Sequence, residues 1–363
     1  MRTSSYKDFS LKFHKKNWRN RKTNLCHFEL TFGCALHCKH CYSDCYNKAS
    51  YIKKELSTSG VRLILDKLYD ESILWLCFTG GDPLTRSDFL ELYAHAKDKG
   101  FIIILFTNAY SMNERIAEYL KNRPPFVIEI TLNAVTREVY DSIAQVKGAY
   151  NKTMQGIDLI LKSGLPLRIK TQITKDNLTR VPKIKQFIKK LGLKFYPAPF
   201  LHSRLNGDSS PTDLRISPQE FLSLNGDVKE MPDDSCDSSL GCERGAIERQ
   251  LFPCAITGGG GIRIDPYGNV VPCNCIRKPS LNLLKRNLRQ AQEEILGWAR
   301  TRNFTKNSQC RNCSIRDICF SCPGKALLEI SDMEAPVPYF CQLAHLSLDN
   351  YGVTQTTHQS NEE

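Results

Sequence analysis

Cys34, Cys38 and Cys41 stand in the run Leu30-Thr31-Phe32-Gly33-Cys34-Ala35-Leu36-His37-Cys38-Lys39-His40-Cys41-Tyr42, a C-x3-C-x2-C spacing. Three thiolates this close can hold three corners of a [4Fe–4S] cubane and leave the fourth iron without a protein ligand, whereas four cysteines close most such clusters. An open iron is a place for a substrate or cofactor to bind, so the missing ligand is itself the functional signal. A structural zinc site fits poorly, because it prefers four closed ligands and C-x2-C pairs. A second group of cysteines gathers later in the chain. Cys254 precedes Gly268-x4-Cys273, and Cys310-x2-Cys313-x5-Cys319-x2-Cys322 is followed by Cys341. The C-x2-C pairs taken alone would suit a zinc ribbon, since soft thiolate cages accept either metal. Of the other cysteines, Cys77 lies in an apolar run and reads as a small buried hydrophobe; Cys26, Cys45 and Cys236 receive no role.

These ligands need a scaffold, and Cys26 to Pro199 supplies one. Strand-like runs at His27–Thr31, Ile73–Phe78, Ile102–Phe106, Val127–Leu132, Leu167–Ile173 and Lys194–Pro197 alternate with helix-period segments. Val61/Ile64/Leu65/Leu68 and Val181/Ile184/Ile188/Leu191 carry the i, i+3 or i+4, i+7 spacing of amphipathic helices. Six strand–helix pairs in series imply a parallel sheet with right-handed crossovers. Eight would close a full barrel. The fold class is therefore α/β, and the loops after the strands should carry the chemistry, as on the C-terminal face of closed barrels. Cys34–Cys41 follows the first strand. After the second comes Gly80-Gly81-Asp82-Pro83, whose paired glycines permit close backbone approach, although such a run is by itself an ordinary turn.

The 363 residues, 41% hydrophobic and including 16 cysteines, suffice for two domains or one barrel with an appendage. No 18-residue apolar run exists, so no membrane span is expected. The N-terminus has no apolar signal core. Cysteines in such a chain point to metal ligation in a reducing cytoplasm and not to disulfides. Of the net charge of +12, +7 falls in residues 1–24, where Arg2, Lys7, Lys12, Lys15, Lys16, Arg19, Arg21 and Lys22 face Asp8 alone. No nucleic-acid field spreads over the body. The basic arm is either a solvated tail or a contact for an acidic partner. The expected divisions are the arm (1–24), a barrel (25–200), a linker or bridging region (201–235), a cysteine-rich domain (236–346) and a disordered tail (347–363).

The cysteine run resembles the signature of radical S-adenosylmethionine (SAM) enzymes, with the His-Cys-Tyr ending of one large branch. That resemblance implies an open, partial (β/α)6 barrel of TIM type, with SAM chelated on the open iron of a [4Fe–4S] cluster. It places Cys34, Cys38 and Cys41 as the catalytic cluster ligands. Gly80, Gly81, Asp82 and Pro83 match the family's Gly-Gly-Glu-Pro loop, which holds the methionyl amino group, with Asp82 replacing Glu. Thr107-Asn108-Ala109 and Thr131-Leu132-Asn133 stand where the family has Thr-Asn-Gly and Ser-Leu-Asp, implying SAM contacts from Thr107, Asn108, Thr131 and Asn133. A capping role for Thr131 or Asn133 is equally open. Asp141-x-Ile143 also matches, but the arginine usual after it is Ala144, leaving Arg168 as the stand-in.

The later cysteines resemble the SPASM extension of radical SAM enzymes, apart from two residues instead of three between Cys319 and Cys322. Ile264-Asp265-Pro266-Tyr267-Gly268-Asn269-Val270-Val271-Pro272-Cys273 matches its hairpin, and its Tyr-Gly-Asn turn reads as one on physical grounds too. The resemblance implies two auxiliary Fe–S clusters. Cys310, Cys313, Cys319 and Cys341 would close one, and Cys254, Cys273 and Cys322 would hold three corners of the other. Its fourth ligand is taken as Cys242, with Cys275 or an open corner as alternatives.

The implied function is hydrogen abstraction from a peptide or protein substrate by a 5′-deoxyadenosyl radical, as in pyrroloquinoline quinone peptide cyclase and thioether-forming maturases. Crosslinking, thioether formation or epimerisation of a ribosomally made peptide would follow. Flavodoxin or ferredoxin would donate electrons, and a separate leader-binding protein would serve the short N-terminus. Sulfatase maturation and tetrapyrrole modification are enzyme alternatives. A non-catalytic Fe–S carrier or zinc scaffold is the alternative from another class, against which the Gly80–Pro83 loop speaks.

Overall fold

The computed structural model describes residues 23–224, 250–252, 254, 261–316 and 319–351, the side chains of 349–351 excepted. The basic arm as far as residue 22, Cys236, Cys242 and the tail from 352 lie outside the described residues.

Six strands pair in parallel and in sequence order: β1 (Leu25–Thr31), β2 (Trp75–Gly80), β3 (Ile102–Thr107), β4 (Val127–Thr131), β5 (Leu167–Gln172) and β6 (Phe195–Ala198). Period-2 alternation explains them. Phe28, Leu30, Leu76, Phe78, Ile103, Leu105 and Ile128 point outward and are fully or almost fully buried beneath helices, while the alternate residues face the lumen. The crossover helices are α1 (Thr58–Asp70), α2 (Phe89–Asp98), α3 (Glu114–Asn122), α4 (Arg137–Ala144), α5 (Ala149–Lys162) and α6 (Val181–Lys190). On α1 the expected stripe of Val61, Ile64, Leu65 and Leu68 is buried, and Ser57 caps the helix by accepting from the Gly60 N–H.

The barrel stays open, as the six repeats implied. One edge is β6. On the other side β1 pairs in parallel with β7 (Ile262–Ile264), which leads into antiparallel β8 (Asn269–Val271) and β9 (Leu281–Asn282). The hairpin read from the sequence thus extends the barrel's own sheet. Its turn is built by Asp265, whose Oδ1 accepts from the N–H groups of Tyr267 (3.0 Å) and Asn269 (2.9 Å), with Gly268 at φ +79°.

Residues 201–224 are firmly seated despite their lack of periodicity. Arg215, nearly buried, donates to the Leu201 carbonyl (2.7 Å) and to Glu329 (2.9 Å) on α9 (Pro323–Ile330), and stacks 4.8 Å from the Tyr339 ring. Helix α7 (Pro218–Ser223) ends this segment, and the C-terminal part also contains α8 (Leu288–Arg300) and α10 (Pro338–Tyr351). A small core of Leu251, Phe252, Ile276, Ala299 and Phe304 underlies its cysteines. Among the described residues no helix is long and apolar enough to cross a membrane.

Candidate functional site

Cys34, Cys38 and Cys41 lie together on the loop after β1, and the loop is held from four sides. Asn47 clamps it, accepting from the Cys34 N–H (3.1 Å) and donating to the Cys34 carbonyl (3.0 Å). The last turn of α4 offers its free carbonyls: the His37 N–H donates to Ala144 and the Lys39 N–H to Ile143, each at 3.0 Å. These are groups a helix end leaves without intrahelical partners. Arg204 donates to the Cys41 carbonyl (3.1 Å) and pairs with Asp44 (3.3 Å). Glu55 accepts from the Phe32 N–H at 2.7 Å.

The Gly80–Pro83 loop is a further support. Gly81 and Asp82 donate their backbone N–H groups to the carbonyls of Thr31 (2.6 Å) and Gly33 (2.8 Å). The contact leaves no room for a side chain. A Cβ on Gly80, whose φ is +136°, would stand 2.2 Å from the Thr31 oxygen, and one on Gly81 would stand 2.4 Å from the Gly33 oxygen.

Several residues expected at SAM prove to be committed to the protein. The Asp82 carboxylate is completely buried and accepts from the N–H groups of Leu84 (2.9 Å) and Asn108 (3.1 Å) and from the Thr107 hydroxyl (2.9 Å). Burial pushes its pKa up to about 6, against the pull of those hydrogen bonds. Asp82 and Thr107 thus tie the β2 loop to β3 and form the wall of the site, not its surface. Pro83 is buried with them. Asn133 accepts from the Gln172 N–H at 2.9 Å, a tie between β4 and β5 of the capping kind. Thr131, half-buried, ends β4. Asn108 alone reaches the cysteines, its amide donating to Cys34 Sγ at 3.2 Å. Arg168 is not available to SAM. It is the second residue of β5, distant from the strand's C-terminal end, and meets Glu129 (3.4 Å) and the Tyr196 ring (5.1 Å).

The three thiols suit a cluster by donor chemistry. Cys34 Sγ accepts from the Leu36 N–H (3.4 Å) as well as from Asn108, and Cys41 Sγ lies 3.6 Å from the Ser43 hydroxyl. Such donors favour sulfur that carries negative charge. Burial, followed by the charge of Asp82, pushes the Cys34 thiol up to about 12, and burial raises Cys38 and Cys41 as well. Metal must therefore displace their protons as it binds. Among the described residues no three His, Cys, Asp or Glu side chains converge as a single-ion site would require, so the fit rests on the type and number of thiols.

The C-terminal cysteines fall into two sets. Burial, with Cys341, Cys319 and Cys313 beside it, pushes Cys310 up to about 11, and Cys341 and Cys313 also act on Cys319. Cys322 belongs with Cys273, whose thiol, after burial, raises its pKa. Cys254, Cys273 and Cys310 each pack against the Phe252/Ile276 core. Cys322 caps α9, its Sγ accepting from the Lys325 N–H at 3.4 Å.

Residues 28–183 match the family described as the Radical SAM superfamily. This segment is a radical SAM domain. The chain is 24% identical over 332 residues to the "AdoMet-dependent heme synthase" of Methanosarcina barkeri (strain Fusaro / DSM 804), covering 86% of this chain and 94% of that protein. It is 26% identical over 307 residues, 80% of either chain, to the "PqqA peptide cyclase" of Xanthomonas euvesicatoria pv. vesicatoria (strain 85-10). Its fold is that of Streptococcus suis SuiB, solved bound to precursor peptide SuiA, at TM-score 0.64 and 14% identity, covering 92% of this chain and 80% of that one. The partial barrel with a C-terminal cysteine-rich extension is thus the architecture of radical SAM enzymes related to peptide modifiers.

Within the radical SAM domain the lumen is charged. His27 stands between Cys77 of β2 and Arg263 of β7, its ring 6.4 Å from Phe106. Lys170 lies 2.9 Å from Glu129 and 5.0 Å from the Phe106 ring. Above them Glu29 binds Arg277 through both oxygens, at 2.6 and 2.8 Å. Tyr42, buried between the Cys41 loop and this pair, also feels Cys275. Asn47, Arg204, Glu29 and Arg277 were not foreseen. Their partners lie 13 to 248 positions away, and no local pattern marks them.

Proposed function

We propose that the protein reductively cleaves SAM and removes hydrogen from a side chain or Cα of a ribosomally made peptide, leaving a crosslink, a thioether or an epimerised residue. Cys34, Cys38 and Cys41 would hold a four-iron cluster, which would supply the electron for that cleavage. The chain's own residues position and shield. Asn47, Arg204 and the α4 carbonyls fix the cysteine loop, and Asn108 sets the charge at Cys34. The Gly80–Pro83 loop seals the loop's underside against water. Cys310, Cys313, Cys319 and Cys341, with the Cys254/Cys273/Cys322 set, would hold two auxiliary clusters, and a flavodoxin or ferredoxin in a reducing cytoplasm would return electrons.

The observation that carries the peptide reading is the barrel left open between β6 and β9, which admits a linear chain from the side. It is the fold of a protein solved with its precursor peptide, and a relative is named for a peptide substrate. A second reading has its own support. The heme synthase relative matches along nearly its whole length. The test is to incubate reconstituted enzyme, SAM and a one-electron donor with a short peptide encoded beside its gene, or with an iron coproporphyrin. Loss of two hydrogens from the peptide, or solvent deuterium gained at one Cα, supports the proposal. Turnover of the porphyrin alone would replace it with the second reading.

A further inference from the structure

The auxiliary set nearer the barrel has three expected thiols and an unassigned fourth, and the structure assigns it. We propose that Cys254, Cys273, Cys275 and Cys322 form a closed four-thiolate cage, with Cys275 as the fourth ligand and Arg263 as its countercharge. The inference rests on the radical SAM and auxiliary-cluster reading above.

Cys275 is in place. Its thiol is the largest influence raising that of Cys273, two residues away. Its Cβ also lies so close to the first turn of α9 that a Cβ on Gly324 would stand 2.8 Å away. Cys322 caps that same turn, and the Cys273 thiol raises the Cys322 pKa. A glycine at 324 is therefore what lets the Cys273–Cys275 loop and the Cys322 helix end approach each other. Cys254 packs against the Phe252/Ile276 core that also carries Cys273.

Arg263 is the independent observation. It stands half-buried on β7 opposite Val271, two residues before Cys273, and the thiols of Cys77, Cys273 and Cys26 act on its guanidinium against the effect of burial. Among the described residues no carboxylate pairs with it, and its one hydrogen bond goes to the Ile262 carbonyl at 3.5 Å. An uncompensated charge is destabilising where it is withdrawn from water. Four thiolates around a cluster supply the negative charge that the guanidinium lacks. Arg277, two residues beyond Cys275, is already matched by Glu29. With all four corners taken by protein, this cage has no open iron for a substrate. A bound peptide or tetrapyrrole must then be held by the lumen residues instead.

The test uses the full chain, reconstituted anaerobically. Cys275→Ser should lose about four of about twelve iron atoms, or keep them with an altered reduced-state EPR signal that shifts on adding cyanide; Cys242→Ser should match wild type in iron and spectrum. The reverse pattern would overturn the assignment. A measurement on the unmutated protein guards against misfolding of the variants. Alkylation mapping should find Cys275 protected in the loaded protein and reactive after iron chelation, with Cys242 reactive in both; Cys275 labelling equally in both states would also refute the cage. Arg263→Gln should lower the midpoint potential of this cluster alone, and an unchanged potential would remove Arg263 from the proposal. If Cys254→Ser, Cys273→Ser and Cys322→Ser all retain full iron, the auxiliary-cluster reading itself fails, an outcome distinct from failure of Cys275.

Discussion

Asp82 couples the stability of the wall beside the cysteine loop to pH. Its carboxylate is fully buried and its pKa rises from 3.8 to about 6, chiefly through burial. The folded protein thus holds this proton more tightly than the unfolded chain, so this group's contribution to stability falls as pH rises from about 4 to about 6. At 1.36 kcal/mol per pH unit the loss is about 3 kcal/mol, complete above pH 6. Asp82→Asn removes that dependence, because an amide does not titrate. It also turns an NH2 group toward either the Asn108 or the Leu84 N–H, and an unsatisfied buried donor costs about 1–3 kcal/mol. At pH 4.5 the variant should therefore be the less stable protein by that amount. At pH 7.5 the deficit should vanish or reverse, because the wild type then carries the ionisation cost. Urea denaturation of the metal-free proteins at both values measures the difference. A deficit equal at pH 4.5 and 7.5 would show that Asp82 does not ionise within the window, and the reasoning from its burial would fail.

Other consequences follow from close packing and buried charge. Gly81→Ala drives a Cβ to within 2.4 Å of one backbone oxygen and 2.5 Å of another; at about 1–3 kcal/mol of strain it should part the two loops and cut reconstituted iron by about four atoms, read by iron assay. Arg215→Met leaves Glu329, 9% exposed, without its partner and should cost about 3–5 kcal/mol by thermal or urea unfolding. Arg215→Met with Glu329→Leu should recover most of that loss, since apolar replacement of a buried pair is often neutral. Wild-type protein reconstituted without oxygen should bind about 12 iron atoms; stoichiometric zinc with less than about 2 iron would point to the scaffold reading.

The barrel was legible because its information is local. Alternation in Leu25–Thr31 and the Val61/Ile64/Leu65/Leu68 stripe specify elements without reference to anything distant, and each of the six strands lies within two residues of its expected run. The Cys34–Cys41 loop was legible for the same reason. The pairing of β7 with β1 was not, because Cys26 and Ile262 meet across the whole barrel sequence and a three-residue strand has too little pattern to announce its partner. Asp82 and Thr107 show a subtler limit. Their positions were legible, but whether a polar side chain faces a ligand or braces a wall is decided by neighbours such as Leu84 and Asn108. Charged ties such as Glu29–Arg277 and Arg215–Glu329 left no trace in spacing, since an isolated arginine reads as surface until its enclosure is known.

The central claim is that Cys34, Cys38 and Cys41 together hold the cluster at which SAM is cleaved. The direct measurement compares wild-type protein with the variant carrying Cys34→Ala, Cys38→Ala and Cys41→Ala, each reconstituted anaerobically and given SAM and dithionite. Circular dichroism establishes that the variant is folded, and iron is counted beside 5′-deoxyadenosine. The wild type should release 5′-deoxyadenosine. The variant should keep about 8 iron atoms on the C-terminal cysteines and release none. Continued 5′-deoxyadenosine production by the triple variant would contradict the account, because the cleaving cluster would then lie elsewhere in the chain.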